Sequence, residues 1–153
     1  MTKRHKRTTG VLLATCNSEA YLEEQLHSIA QSSSLVDKVI LSDDTSNDST
    51  LALIESARSE FLSKGIQLEL RANPSENRGV HGNFANLLSL GVASDLDIFF
   101  LCDHDDIWCE TKIAKSLAAL DYLEEASQQT SNRPALVFTD LEVVSEYGDL
   151  MPR

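Results

Sequence analysis

The densest chemistry in this 153-residue chain lies in Asp103-His104-Asp105-Asp106, directly after the apolar run Ile98-Phe99-Phe100-Leu101-Cys102. Asp103 and Asp105 are one residue apart, so in a turn they face one side and present hard oxygen ligands. That donor set suits Mg2+ or Mn2+ held together with waters and a substrate diphosphate. The ion would make an acidic site tolerable to an anionic ligand and would stabilise charge on a departing diphosphate. An Asp-x-Asp recurs by chance in any acidic chain. Its place after a buried run, and ahead of Trp108 and a helical pattern, sets this one apart. Alternation is expected to turn His104 away from the two carboxylates, and Trp108 is expected to pack.

A second acidic pair, Asp43-Asp44, follows Lys38-Val39-Ile40-Leu41-Ser42. Either carboxylate can accept the imide N–H of a uracil or thymine ring, which selects those bases over cytosine. The competing role is an Asx turn capping the next helix, expected of one member of the pair. Thr15-Cys16-Asn17 and Asp140 follow two further apolar runs. Gly79 and Gly82 flank His81 where a helix begins, so backbone amides can approach a ligand there, and Arg78 can pair with a phosphate. Simple turn chemistry accounts for that loop equally well.

These residues need elements to position them. Val11–Thr15, Lys38–Ser42, Ile66–Leu70, Ile98–Cys102 and Leu136–Thr139 read as strands, the third half-buried by its alternation. Val143-Val144 reads as a short edge strand. Helical spacing appears in Leu22, Leu26 and Ile29, with Asn17 or Ser18 as cap, and in Leu51, Ile54, Ala57 and Phe61, capped by Asn47 or Asp48 and stopped near Gly65. Two more helices carry Phe84, Leu87 and Leu88, then Ile113, Leu117, Leu120 and Leu123 from about Glu110 to Ala126. The fourth strand is apolar on both faces, which predicts a central place in a sheet covered on each side. The β-α-β-α order predicts an α/β fold with a mostly parallel sheet flanked by helices. Ligands of such sheets bind beyond the carboxyl ends of the strands, so the acidic residues are expected to converge on one rim.

Composition narrows the function classes. There are 24 acidic against 13 basic side chains, and four of the basic ones lie in the first seven positions. Residues 8–153 therefore hold nine basic and 24 acidic groups, a balance of −15 that repels a phosphate backbone and argues against nucleic-acid binding. Residues 1–9 read as a basic, solvated tail, and residues 10–153 as one domain. No apolar run approaches the roughly 20 residues of a membrane span, and no apolar stretch follows the basic start as in a secretory leader. A cytoplasmic location is expected, with the tail as a route to peripheral contact with anionic membrane. The three cysteines have no CxxC spacing and read as free thiols in a reducing compartment rather than a zinc site.

The ordered set of motifs resembles the family 2 glycosyltransferases, in particular their rhamnosyltransferase-like members. The matching stretches are Ala14-Thr15-Cys16-Asn17 with Tyr21–Leu26, Leu41–Thr50, Asn77-Arg78-Gly79-Val80 with Asn83-Phe84, Leu101–Trp108 with Lys112-Ile113, and Val137–Leu141. Together they span about residues 11–148. The resemblance implies a GT-A fold, the Rossmann-like nucleotide-diphospho-sugar transferase arrangement, here its donor-binding part without the C-terminal acceptor part. Thr15 and Asn17 would line the nucleotide pocket, and Asp44 would contact the pyrimidine with Asp43 beside it. Asp103 and Asp105 would hold the metal, Mg2+ or Mn2+, on the diphosphate of a UDP- or dTDP-sugar, and Asp106 would sit near the donor sugar. Cys16 stands where the family often has an aromatic, and His104 where related members often have glutamine.

The implied reaction is inverting transfer to a hydroxyl of a saccharide or lipid-linked acceptor in cell-surface polysaccharide synthesis. The family's catalytic base is expected beyond residue 153, with Asp106 the candidate acid inside the chain. The alternative is a non-catalytic module that binds nucleotide or a partner. An apolar face left by a missing acceptor part would favour self-association. A receiver-like phosphotransferase expects its nucleophilic aspartate after an earlier strand, and a dinucleotide oxidoreductase expects GxGxxG after the first. Neither pattern is present.

Overall fold

The computed structural model describes residues 6–72, 79–126, 134–145 and 149–151. The chain divides into two compact units, Met1–Thr111 and Lys112–Arg153. The first holds β1 (Thr9–Thr15), α1 (Leu22–Ala30), β2 (Lys38–Asp43), α2 (Thr50–Ser63), β3 (Gln67–Ala72), α3 (Gly79–Ala93) and β4 (Ile98–Cys102). All pairings are parallel and the strand order is β3-β2-β1-β4. The chain therefore builds outward from β1 through β2 to β3, then jumps back to place β4 on the other side of β1. That reversal opens a crevice at the carboxyl ends of β1 and β4, where α/β sheets bind ligands.

Period-two alternation splits β1 between two layers. Leu12 and Ala14 join Ile40 and Leu87 in a buried cluster, with Phe84, Leu90, Leu96 and Phe99 packed against it. This is the α3 side. Gly91 is buried in α3, and a Cβ there would meet Leu12 Cδ1 at 2.8 Å, so the glycine lets the helix lie close on β1. On the opposite side, Gln25 of α1 donates to Cys102 Sγ at 2.8 Å, and Ser28 Oγ accepts the Trp108 backbone N–H at 3.0 Å. Trp108 is buried and meets Phe100 edge-on with ring centroids 6.0 Å apart, the packing role expected for it.

The helix ends follow local chemistry. The N-cap of α2 is Ser49, which makes no side-chain cap bond; Asp48, one residue earlier, accepts the Thr50 N–H through Oδ1 at 2.9 Å. At the other end Gly65 takes φ +74° and Ile66 N–H returns to Phe61 O at 2.9 Å, the stop expected near Gly65. The cap expected for α1 is different. Neither Asn17 nor Ser18 caps by side chain; Ser18 O instead accepts the N–H groups of Tyr21 and Leu22 at 3.1 and 3.0 Å.

Three further expectations are corrected. β4 is not central: among the described residues it pairs only with β1, and Leu101 is half exposed, whereas all seven residues of β1 are buried. Apolar faces report what lies above and below a strand, not whether an edge is paired. The basic tail ends earlier than residue 9. Lys6 Nζ donates to Asp37 Oδ1 at 3.0 Å, Thr8 N–H donates to Asp97 Oδ2 at 2.7 Å, and Thr9 opens β1; residues 1–5 lie outside the described residues. Finally, Leu136–Thr139 forms no strand, and Val143-Val144 contributes only one antiparallel bridge, Val144 to Leu150. Those residues belong to the second unit, with α4 (Lys112–Ala126), whose Ile113 is fully buried. An apolar run signals a need for burial but does not supply a neighbouring edge.

At the outer edge of the sheet, Lys38 Nζ lies 2.8 Å from Glu69 Oε1, and Arg71 also bonds that carboxylate. The hydrogen bond from Lys38 is the chief cause holding the Glu69 carboxyl below its usual range; partial burial opposes it and Arg71 assists. A depressed carboxylate stabilises the fold above its unfolded pKa and loses that contribution as pH falls through the folded value. Glu69→Gln is expected to cost about 1 kcal/mol at pH 7, with the gap from the parent closing as pH drops below about 4. Urea unfolding at stepped pH measures this; a gap independent of pH would contradict it.

Candidate functional site

A recess of about 190 Å³ opens at the carboxyl ends of the strands. Ala14, Thr15 and Cys16 line it from β1, Asp44 from the end of β2, Gly79, Val80 and Asn83 from the start of α3, and Asp103 and His104 from the turn after β4. Four segments far apart in sequence thus share one rim because three parallel strands end side by side. Among the described residues lining it none is lysine or arginine.

The adjacent aspartates divide their work. Asp43 Oδ1 accepts the Thr15 hydroxyl at 2.9 Å and the Ser46 hydroxyl at 2.6 Å, and its Oδ2 accepts the Ser46 N–H at 2.9 Å. It ties the end of β1 to the loop after β2 and does not line the recess. Asp44 does line it. Its N–H donates to Thr15 O at 2.9 Å and its Oδ2 accepts the Gly79 N–H at 2.9 Å. Gly79 adopts φ +66° there, a backbone state that glycine enters without strain. The amide expected to approach a ligand is thus directed to Asp44, whose negative charge suits the start of α3. A carboxylate can accept several hydrogen bonds, so this contact alone does not exhaust Asp44 as an acceptor.

Asn17 is positioned differently from the expectation. Its backbone adopts φ +48°, its N–H donates to Ser46 Oγ at 2.8 Å, and its Oδ1 accepts the Asn47 N–H at 2.9 Å. It locks the two strand-end loops together and does not line the recess. Arg78 lies outside the described residues. Asp106 is half-buried and also absent from the lining, and Asp140 belongs to the second unit, where its Oδ1 accepts the Leu141 N–H at 2.9 Å. The strand meant to carry Asp140 to the rim is not formed.

After β4, Asp103, His104 and Asp105 each place one donor atom within 4.8 Å of the others. His104 Nδ1 lies 2.9 Å from Asp103 Oδ1, which also accepts the His104 N–H at 2.9 Å. Alternation was expected to send His104 away. It fails because residues 104 and 105 form a turn, where successive side chains no longer take opposite faces. The two carboxylates and the imidazole make a donor set that fits a divalent cation.

Asn83, in the first turns of α3, ties two strands together. Its Nδ2 donates to Thr15 O at 3.2 Å and to Ser42 O at 2.9 Å, bridging the ends of β1 and β2. Its Oδ1 is buried and has no hydrogen-bond partner among the described residues. The readable signal is its spacing: Asn83, Leu87 and Gly91 recur every four residues along the buried stripe of α3, and an amide on such a stripe has to find backbone partners.

With this geometry in view, comparison with known proteins places the chain. The sequence profile of glycosyl transferase family 2 matches residues 10–133. The chain belongs to that family. It is 32% identical over 110 residues to the dTDP-rhamnosyl transferase RfbG of Shigella flexneri, covering 71% of this chain and 36% of RfbG. Among solved structures, S. aureus TarS 1-349 in complex with UDP-GlcNAc superposes with a TM-score of 0.63 at 23% identity, covering 75% of this chain and 31% of TarS. The mannosyltransferase PcManGT from Pyrobaculum calidifontis, in complex with GDP-Man and Mn2+, gives a TM-score of 0.61 at 21% identity over 74% of this chain and 32% of its own. The fold is that of the GT-A glycosyltransferases, in part: this family 2 chain spans about a third of the length of these relatives. Among the described residues no helix is long and apolar enough to cross a membrane.

Cys16 reads the electrostatics of the recess. Burial pushes its thiol up, and the carboxylates of Asp44, Asp43 and Asp48 add to the effect. A raised thiol pKa means little reactive thiolate at neutral pH. Iodoacetamide is expected to label the exposed Cys109 well before Cys16 at pH 7, with Cys16 labelling accelerating only above the ordinary thiol range. Equal labelling rates at pH 7, followed by peptide mass spectrometry, would contradict this.

Proposed function

We propose that this family 2 chain binds the nucleoside diphosphate of a UDP- or dTDP-sugar, with Mg2+ or Mn2+, for inverting transfer of the sugar to a hydroxyl acceptor in cell-surface polysaccharide synthesis. The observation that carries this is the recess at the strand-order reversal, where Asp44 meets Asp103 and His104 from separate strands, with the exposed Asp105 beside them in the same turn. RfbG is a dTDP-rhamnosyl transferase and TarS binds UDP-GlcNAc, which supports a pyrimidine nucleotide.

In this reading Asp44, held by Gly79, accepts the imide N–H of the pyrimidine. Asn83 keeps the ends of β1 and β2 at fixed spacing, and the Asp43 network holds the loop beside them. Asp103 and Asp105 face the diphosphate. A bound cation would supply the charge neutralisation that an acidic recess denies to an anionic ligand and its leaving group. Transfer with inversion also requires a base to take the acceptor hydroxyl proton as it attacks the anomeric carbon. We assign that role to no residue described above.

Calorimetric titration of the chain with UDP and dTDP tests the reading. Binding is expected with Mg2+ or Mn2+, to fall at least about tenfold in EDTA, and to be lost in Asp105→Ala. Nucleotide binding of equal strength without cation and in that variant would overturn it. A module that holds nucleotide without transferring sugar would use the same recess. Release of UDP or dTDP from a panel of nucleotide sugars separates the two, since turnover excludes the passive module.

A further inference from the structure

We infer that Gln25 and Ser28 of α1 are positioning residues for the donor site: they grip the two ends of the turn after β4 and so set the direction in which Asp103 and Asp105 face a nucleoside diphosphate. This rests on the reading proposed above and goes beyond it by giving α1, which does not line the recess, a part in binding.

The two side chains lie three residues apart on one face of α1, and both are buried, Gln25 fully. Gln25 Nε2 donates to Cys102 Sγ at 2.8 Å, and the Cys102 thiol donates in turn to Asp103 O at 3.1 Å. Ser28 Oγ donates to Gln25 O at 2.8 Å, which leaves its lone pairs to accept the Trp108 N–H at 3.0 Å. A third tether follows the helix, where the N–H and the hydroxyl of Ser33 both donate to Glu110 O, at 2.9 and 3.0 Å. Cys102 and Trp108 are buried at 2% and 5% exposure, whereas Asp103 between them is half-buried and Asp105 exposed. One helix face therefore pins both feet of an arch whose crown is acidic.

Stability alone does not account for Gln25. Its Oε1 is buried with no hydrogen-bond partner among the described residues, and its donor goes to a thiol, a weak acceptor. An apolar side chain of similar length would fill the same space without that cost. What the amide alone provides is a directed bond to the residue ahead of Asp103. The turn needs such direction. Residues 103–108 belong to no strand or helix, and neighbouring carboxylates repel one another, so their orientation follows from where the two ends are fixed.

Calorimetric titration of the full chain with UDP, in Mn2+ and in EDTA, tests this on the parent, Gln25→Met and Ser28→Ala, with thermal melting alongside. In the parent the cation is expected to raise affinity at least about tenfold. Gln25→Met should melt no lower than the parent, because it removes a buried unpaired acceptor, yet its Mn2+/EDTA affinity ratio should fall about fivefold, the worth of one directed hydrogen bond. Ser28→Ala should melt lower and lose a similar factor in the ratio. Loss of folded protein reduces the amount that binds and leaves that ratio alone, so a purely structural role predicts a ratio equal to the parent's. A ratio unchanged in Gln25→Met overturns the role of Gln25, and one unchanged in Ser28→Ala overturns that of Ser28. Gln25→Met melting well below the parent would also count against Gln25, as the mark of a packing residue. If Mn2+ gives the parent itself no gain, the cation-dependent reading falls first and this inference with it.

Discussion

Everything at the site depends on β1 being hydrogen-bonded in parallel on both edges, to β2 on one side and β4 on the other. Parallel pairing brings carboxyl ends to the same side of the sheet, and the register sets how closely they meet. Thr15 lies opposite Asp43, and Leu13 opposite Cys102. The residues that leave those strands therefore emerge as neighbours: Cys16 from β1, Asp44 from β2, and Asp103 just beyond β4. The chain reaches β4 only by crossing back over β1, and that crossing leaves the gap between their ends open to a ligand.

Around that gap the loops are held by polar bonds in place of apolar packing. Asp43 gathers Thr15 and Ser46, Asn17 joins Ser46 and Asn47, Asp48 accepts the N–H groups of Thr50 and Glu19, and Asn83 spans two strand ends. Such a network fixes direction better than hydrophobic contact does, because each bond is geometrically selective. It also explains the concentration of Ser, Thr, Asn and Asp between residues 42 and 50. Much of that acidic and polar density builds the site's frame, and a smaller part faces the recess. Asp43 and Asp44 show the division most plainly, since adjacent carboxylates of identical chemistry take separate tasks.

The legible parts of the fold were those governed by short-range patterns. The strands around Val11, Val39, Leu68 and Phe99 and the stop at Gly65 follow from runs of apolar residues and from glycine's access to positive φ. The convergence of Asp44 and Asp103 could also be anticipated, because an alternating β-α order implies parallel strands with their ends on one side. Less legible were the edge place of β4, the missing strand at Leu136–Thr139, and the exact partners of Asn17. Each depends on which other segment lies alongside, and a run of side chains carries no mark of its neighbour.

His104 and Asn83 draw the line most clearly. Residue types and spacing were enough to indicate the α/β class and the acidic rim, and to raise the expectation of oxygen donors for a divalent ion and a diphosphate. Those follow from hydropathy period and ligand hardness, which are properties of the residues themselves. Whether Asp43 or Asp44 meets the recess, whether the imidazole of His104 turns toward the carboxylates, and whether Asn83 bridges two strands were decided in three dimensions. The physical reason is the same in each case: a side chain's direction is set by local backbone dihedrals and by the hydrogen-bond partners that folding brings within about 3 Å, and neither exists until the chain has closed on itself.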